Sequence, residues 1–290
     1  MLAWIAFAFI ALVWGTTFAG IAVAVKVFTP LGLVGVRFVA AGLLAIGIGR
    51  LRGEKPPARG EWSTVLMTGL VMILCTYTLM FWAELTLSSG LTAVLTATLP
   101  VMLVLMGREK LTWPAWLGLA LGFTGVALVA GLSAGEAFSV GGALAALGSN
   151  VFWSFGSLLG RARYRSSATF TRSGWQMLAG GLPALLITAP TGRILHGALT
   201  REAAGATAYL TLVGSLMAFS AYLYLLEVWP ASRVGTYTYL NAIVAVSVGA
   251  WWLHEPFTLR MGLGVLTILA GVALVEYAPR SPVPVLEGGV

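Results

Sequence analysis

Apolar residues run in long blocks along the chain, and the polar positions between the blocks are few and regularly spaced. Ten blocks stand out, at about 2–25, 29–50, 63–87, 88–107, 113–132, 139–161, 173–192, 205–228, 232–253 and 258–278. Each reaches the roughly 18 residues that a helix needs to cross about 30 Å of hydrocarbon. The pattern predicts ten transmembrane helices. Two boundaries are thin: the third and fourth blocks are parted only by Ser88, Ser89 and Gly90, and the eighth starts near Thr200. The first block has no basic residue before Lys26 and is followed by nine more, so it is expected to stay in the protein as a span rather than be cleaved.

The last helix of each half is nearly the same helix. Residues 117–129 read LGLALGFTGVALV and residues 263–275 read LGVLTILAGVALV, with Glu109 and Glu255 upstream. The correspondence extends back along the chain: Trp14 matches Trp153, Gly35 matches Gly174, Arg37 meets Gln176 and Gly42 matches Gly181, all at one spacing. Pro100 then falls opposite Ala242 at a slightly larger spacing. A repeat of this kind fixes the architecture before any local reading. Five helices per copy is an odd number, so the copies must lie in the membrane in opposite orientations, as inverted repeats do in many carriers. The predicted division is a first repeat over 1–135, a second over 136–280 and a tail over 281–290.

Composition agrees with a bilayer as the main solvent. Hydrophobic residues make up 59% and charged residues 9%, against about 45–50% and 25% in soluble domains. Of the seventeen Lys and Arg residues, twelve fall on one side of the predicted topology and four (Lys26, Arg193, Arg201, Arg260) on the other, with Arg37 inside the second span. Basic loops are retained in the cytoplasm, so both termini are expected there, in a prokaryotic plasma (inner) membrane. The net charge of +7 is a topology signal, and scattered loop cations give no nucleic-acid footprint. One cysteine, Cys75, and two histidines leave no disulfide and no metal cage to build. No cofactor is expected.

Polar side chains inside apolar helices are costly facing lipid, so they mark where a cavity should lie. Trp14, Thr16 and Thr17 interrupt the first span, and Asn150, Trp153 and Ser154 the sixth. Thr76, Tyr77, Thr78 and Trp82 lie on the third, with Ser220, Tyr222 and Tyr224 on the eighth. The fourth offers Thr92, Thr96 and Thr98; the ninth offers Tyr237, Tyr239 and Asn241, whose spacing by two prevents all three from sharing a face. The candidate substrate-binding set is Trp14, Thr17, Arg37, Tyr77, Trp82, Thr92, Thr96, Asn150, Trp153, Tyr222, Tyr237 and Asn241. For a Thr or Ser the alternative is a bond to its own helix, and for a Tyr or Trp near a span end it is the interfacial belt. Arg37 either receives a substrate carboxylate, for which a guanidinium fork is suited, or pairs with Glu84 or helix-end carbonyls. The chain has no aspartate, and its ten glutamates fall at span ends or in loops. A midplane carboxylate proton relay is therefore missing, and facilitated efflux or exchange fits better. Enzyme motifs are absent: His254–Glu255 lacks a second histidine four residues on, and no phosphate-cradling glycine loop ends in Lys and Ser or Thr.

The stretches WGTTF at 14–18, RF at 37–38, SSGLTAVLTATLP at 88–100 with GREKLT at 107–112, and WPASRVGTYTYLNA at 229–242 with LHEPFT at 253–258 resemble the EamA family of the drug/metabolite transporter superfamily. The resemblance covers nearly the whole chain. It implies ten helices, cytoplasmic termini, and a central cavity lined by the first four helices of each repeat, with the fifth and tenth peripheral. Two departures are a fourth helix about one turn short between Pro100 and Glu109, and Ala242 where the second repeat usually has proline. The expected function is a secondary transporter exporting small metabolites, amino acids first among them, by alternating access, with no enzymatic activity. A sugar-phosphate or nucleotide-sugar exchanger is the alternative of the same class and should need two or more buried basic residues; a non-transporting membrane assembly or channel subunit is the alternative of another class. Small molecules and the lipid bilayer are the expected partners, and the glycine-bearing fifth and tenth helices serve as scaffold or as the surface of a homodimer.

Overall fold

The computed structural model describes residues 1–87, 92, 95–130, 139–163, 169–252 and 258–278. Ser88–Ser89–Gly90, Arg165, His254, Glu255 and the 281–290 tail lie outside them. The described chain is helical, with no strand beyond one isolated bridge between Phe28 and Leu195. Its helices are α1 (Leu2–Ala24), α2 (Pro30–Leu51), α3 (Arg59–Thr86), α4 (Leu99–Gly107), α5 (Trp113–Ala130), α6 (Val140–Arg163), α7 (Thr169–Thr188), α8 (Arg201–Val228), α9 (Ala231–Gly235), α10 (Tyr237–Trp252) and α11 (Leu259–Tyr277). By length and composition α1, α2, α3, α6 and α8 suffice to cross a membrane, and α5 and α11 carry shorter apolar runs, Trp113–Leu128 and Leu259–Val275.

Each predicted block contains helix, but its ends and continuity differ where local chemistry overrides hydropathy. Block seven begins four residues early, at Thr169, and stops at Thr188, just before the Ala189–Pro190 step that disfavours helix. Block eight also starts early, because Thr200 caps it by accepting from the Ala203 N–H at 3.1 Å. Block nine is broken at Thr236, between α9 and α10. The fourth block turns at Ala97–Thr98 before α4, where Pro100 cannot donate a backbone bond. Both α3 and α8 widen to a π-helix in mid-course, over Leu70–Cys75 and Leu210–Met217.

Two antiparallel pairs form the frame, α2 with α7 and α5 with α11. Glycine makes both crossings possible. A Cβ on Gly42 would stand 2.8 Å from Gly174 O, and one on Gly118 or Gly125 would stand 2.7 Å from the carbonyl of Gly271 or Gly264. The glycines of the duplicated helix are thus spent on contact between its two copies within one chain. The remaining helices pack in exchanged pairs: α1 meets α8 and α10, while α6 meets α3 and α4.

One end of the bundle collects the cations. There Glu54 accepts from the Thr171 N–H at 2.8 Å, Glu109 accepts from Ala231 N–H at 3.1 Å and faces Arg161 at 3.7 Å, and Arg172 pairs with Glu227. The start of α1 lies at this basic end, where Trp4 meets Trp229 edge to face and lies under Arg233. At the opposite end the Thr29 N–H donates to Ile194 O and the His196 N–H to Val27 O.

Candidate functional site

The site begins at two tryptophans at matching places in the two halves. Trp14 on α1 and Trp153 on α6 meet edge to face with centroids 5.7 Å apart, and Tyr237 stands 4.8 Å from Trp14. Buried indole N–H groups need acceptors. Trp14 donates to Gly214 O at 2.9 Å, a carbonyl in the π-helical part of α8. Trp153 donates to the Tyr222 hydroxyl at 2.9 Å, which also bonds Ser157 at 2.8 Å.

Against these rings lies a narrow cavity, in which about 70 Å³ admits the centre of a water-sized molecule. Nine of the twelve candidate residues line it: Trp14, Thr17, Arg37, Tyr77, Thr96, Asn150, Trp153, Tyr237 and Asn241. Tyr222 stands one layer behind, fully buried under Trp153. Thr92 is buried outside the lining. Trp82 does not join them: it is 44% exposed and packs on Gly141 at the flank of α3. Five residues separate it from Tyr77, about 140° around a helix, so the two cannot face one cavity. Tyr239 likewise points away, donating to Leu119 O at 3.1 Å, while Tyr237 and Asn241 face inward.

The criterion of polarity passes over Phe18, Ile21, Met80 and Leu99, which also line the cavity. Helical spacing carries the missing signal, since Trp14, Phe18 and Ile21 recur at i, i+4 and i+7 and Tyr77 and Met80 at i, i+3.

Thr17 bonds its own helix, donating to Trp14 O at 2.8 Å, and Thr96 does the same to Thr92 O at 3.0 Å. Asn150 repairs the break before α4. Its amide donates to Leu95 O, Thr96 O and Thr98 Oγ1 at 3.0–3.1 Å. Thr96 O needs this donor because the residue four positions on is Pro100. On the other side Asn241, with its amide nitrogen turned toward α1, donates to Ala11 O at 2.9 Å and Tyr237 O at 3.1 Å. Both asparagines of the chain stand in its second half, and each ties a cavity helix across to a segment of the first.

Arg37 is the charge of the site. Only 1% exposed, it donates from Nε to Ser215 Oγ at 2.7 Å and lies 5.1 Å from the Tyr77 ring centroid. Its Nη1 has no hydrogen-bond partner, and neither has Glu84 Oε1; no ion pair joins the two residues. Of the expectations for Arg37, pairing with Glu84 is absent, and Nη1 is left without a partner on a residue that lines the cavity. Gln176, its counterpart on α7, donates to Thr68 Oγ1 at 2.7 Å. No group of three or more His, Cys, Asp or Glu residues that would suit a metal occurs among the described residues.

Comparison with known proteins places this architecture. The model of the EamA-like transporter family matches residues 2–131 and 140–277. The uncharacterized inner membrane transporter YedA of Escherichia coli K12 is 30% identical over 95% of this chain and 93% of its own length. The uncharacterized transporter YvbV of Bacillus subtilis is 27% identical over 93% and 90%. A solved crystal structure at 19% identity superposes on 94% of this chain and 95% of its own with a TM-score of 0.80, which supports the fold. Two matched stretches that together span nearly the whole chain, around a buried polar cavity in an apolar helical bundle, carry the conclusion that this integral membrane protein belongs to the EamA-like transporter family.

Proposed function

We propose that the protein exports amino acids across a prokaryotic inner membrane, by alternating access between two inverted five-helix repeats, with its basic end and both termini in the cytoplasm. The observation that carries this reading is Arg37: a buried guanidinium with Nη1 unpaired, set in a cavity of aromatic, hydroxyl and amide side chains. A buried unpaired cation is costly, and a solute carboxylate offsets that cost with charge-assisted bonds. The aromatic walls suit the side chain of a small or medium amino acid. Arg37 is the one basic residue of that cavity among the described residues, which disfavours a phosphorylated-sugar or nucleotide-sugar cargo. Exchange or facilitated efflux fits the absence of aspartate.

The test is counterflow of radiolabelled amino acids in proteoliposomes. Saturable exchange of at least one neutral amino acid is expected, and Arg37→Gln should raise KM at least about tenfold, the value of one charge-assisted bond. The same substitution should leave uptake of the matching decarboxylated amine unchanged. A folded wild type that exchanges none of the twenty amino acids ends the proposal.

A further inference from the structure

A second chamber lies on the basic-end side of the Trp153–Tyr222 layer, walled by Met72 of α3, by α6 and α7, and by the end of α8. It is the roomier of the two, with about 220 Å³ open to the centre of a water-sized molecule. Its wall repeats that of the first cavity. Thr17, Phe18, Ile21 and Arg37 of the first cavity stand at one constant spacing before Gly156, Ser157, Gly160 and Gln176 of the second. The chamber is thus the counterpart, one repeat on, of the half of the first cavity that holds Arg37.

The two differ in space and in where the cation sits. Gly156 and Gly160 stand where Thr17 and Ile21 fill the first cavity. The arginine sits one turn earlier than the position matching Arg37: Arg172 and Gln176 are four apart on one face of α7, and both line the chamber. Arg172 is 3% exposed and holds Glu227, whose side chain is 36% exposed.

We infer that this chamber is a second recognition site for a carboxylate-bearing solute, in which the solute carboxylate replaces that of Glu227 on the Arg172 guanidinium. The exchange is like for like, so the buried cation never stands alone. Glu227, a third exposed, has water to take it when displaced. A solute leaving this chamber for the first cavity crosses the Trp153–Tyr222–Ser157 layer and meets Arg37 on the far side. The inference rests on the amino-acid reading above and adds a site to it.

Equilibrium binding of ³H-leucine, ³H-threonine and ³H-phenylalanine to the purified full chain in nanodiscs tests it, with size-exclusion profiles to verify folding. For whichever amino acid binds, two sites per chain are expected in the wild type and one in Arg37→Gln. In the Arg37→Gln background, Glu227→Gln removes the competing carboxylate and should tighten the remaining site about tenfold, while Arg172→Lys, which keeps the charge but not the fork, should weaken it about tenfold. Loss of all binding in folded Arg37→Gln, or indifference of the remaining site to both further substitutions, overturns the second site and leaves the amino-acid reading standing. A wild type that binds none of the three, and none of the other amino acids offered in their place, overturns both.

Discussion

Asn150 shows how much a single side chain does here. A proline four residues ahead leaves the Thr96 carbonyl without its helical donor; one amide on a different helix supplies it, and the same amide joins the Thr98 N–H and hydroxyl in donating to Leu95 O. Leaving buried carbonyls unmet costs about 1–3 kcal/mol each. Asn150→Leu should therefore lower the melting temperature measured in detergent and impair transport, whereas Ser149→Ala on the same wall, where the hydroxyl only bonds back to Ala146 O at 2.7 Å, should shift stability by less than about 0.5 kcal/mol. Equal melting temperatures for Asn150→Leu and wild type would remove this account of the α4 break. The polar interruptions in the sequence led to this residue and to Trp14, Trp153 and Arg37 because polarity inside an apolar helix marks a protected face. They did not tell which face. Trp82 and Tyr77 looked alike as aromatic residues on one helix, and only their spacing of five sets them on different sides. Arg172 read as a loop cation because block seven was expected to start after it; with the true start at Thr169, it is a buried residue one turn from Gln176.

At the scale of elements, the duplicated helix does its work through glycine. On α5 and α11 the carbonyl oxygens of one helix stand where side chains of the other would begin, so any larger residue must push two backbones apart. Overpacking of that kind costs about 1–3 kcal/mol or more. Gly125→Leu is expected to lower the melting temperature and the yield of monodisperse protein, while Gly47→Ala on α2, which has nothing within 4 Å of the added methyl, should be neutral or slightly stabilising through helix propensity. A Gly125→Leu protein as stable as wild type would mean that α5 and α11 are not tightly joined. Block positions were legible because about 18 apolar residues in a row have few other uses. Helix ends were less so, because hydropathy reports the oily length and says nothing of a Thr200 cap or an Ala189–Pro190 stop. The π-helical segments left no pattern to read at all. They become visible only through what they present: Gly214 O to Trp14 and Ser215 Oγ to Arg37, both from the widened part of α8. Such widenings often sit at functional sites, and here one supplies two of the partners of the cavity.

For the molecule as a whole, the charge asymmetry and the two chambers make one argument about sidedness. The basic end carries Arg161, Arg172 and the Glu54 and Glu109 contacts, and the second chamber lies on that side of the Trp153–Tyr222 layer; the first cavity lies on the other. If basic segments stay in the cytoplasm, the proposed export runs from the Arg172 chamber toward Arg37. The direction can be fixed by labelling. Cys75 is the one native thiol and is half-buried in α3, so Cys75→Ser gives a clean background. Arg52 and Lys55, just after α2, and Thr191, just after α7, are all exposed. The proposed inverted repeat puts five crossings between Lys55 and Thr191, so on that topology cysteines at the two places must lie on opposite faces of the membrane. A membrane-impermeant maleimide should label Thr191→Cys in intact cells and Arg52→Cys or Lys55→Cys only in inverted vesicles. Labelling of all three from one face would contradict five crossings and with them the inverted repeat, while the mirror-image result would keep the repeat and turn the Arg172 chamber to the outside.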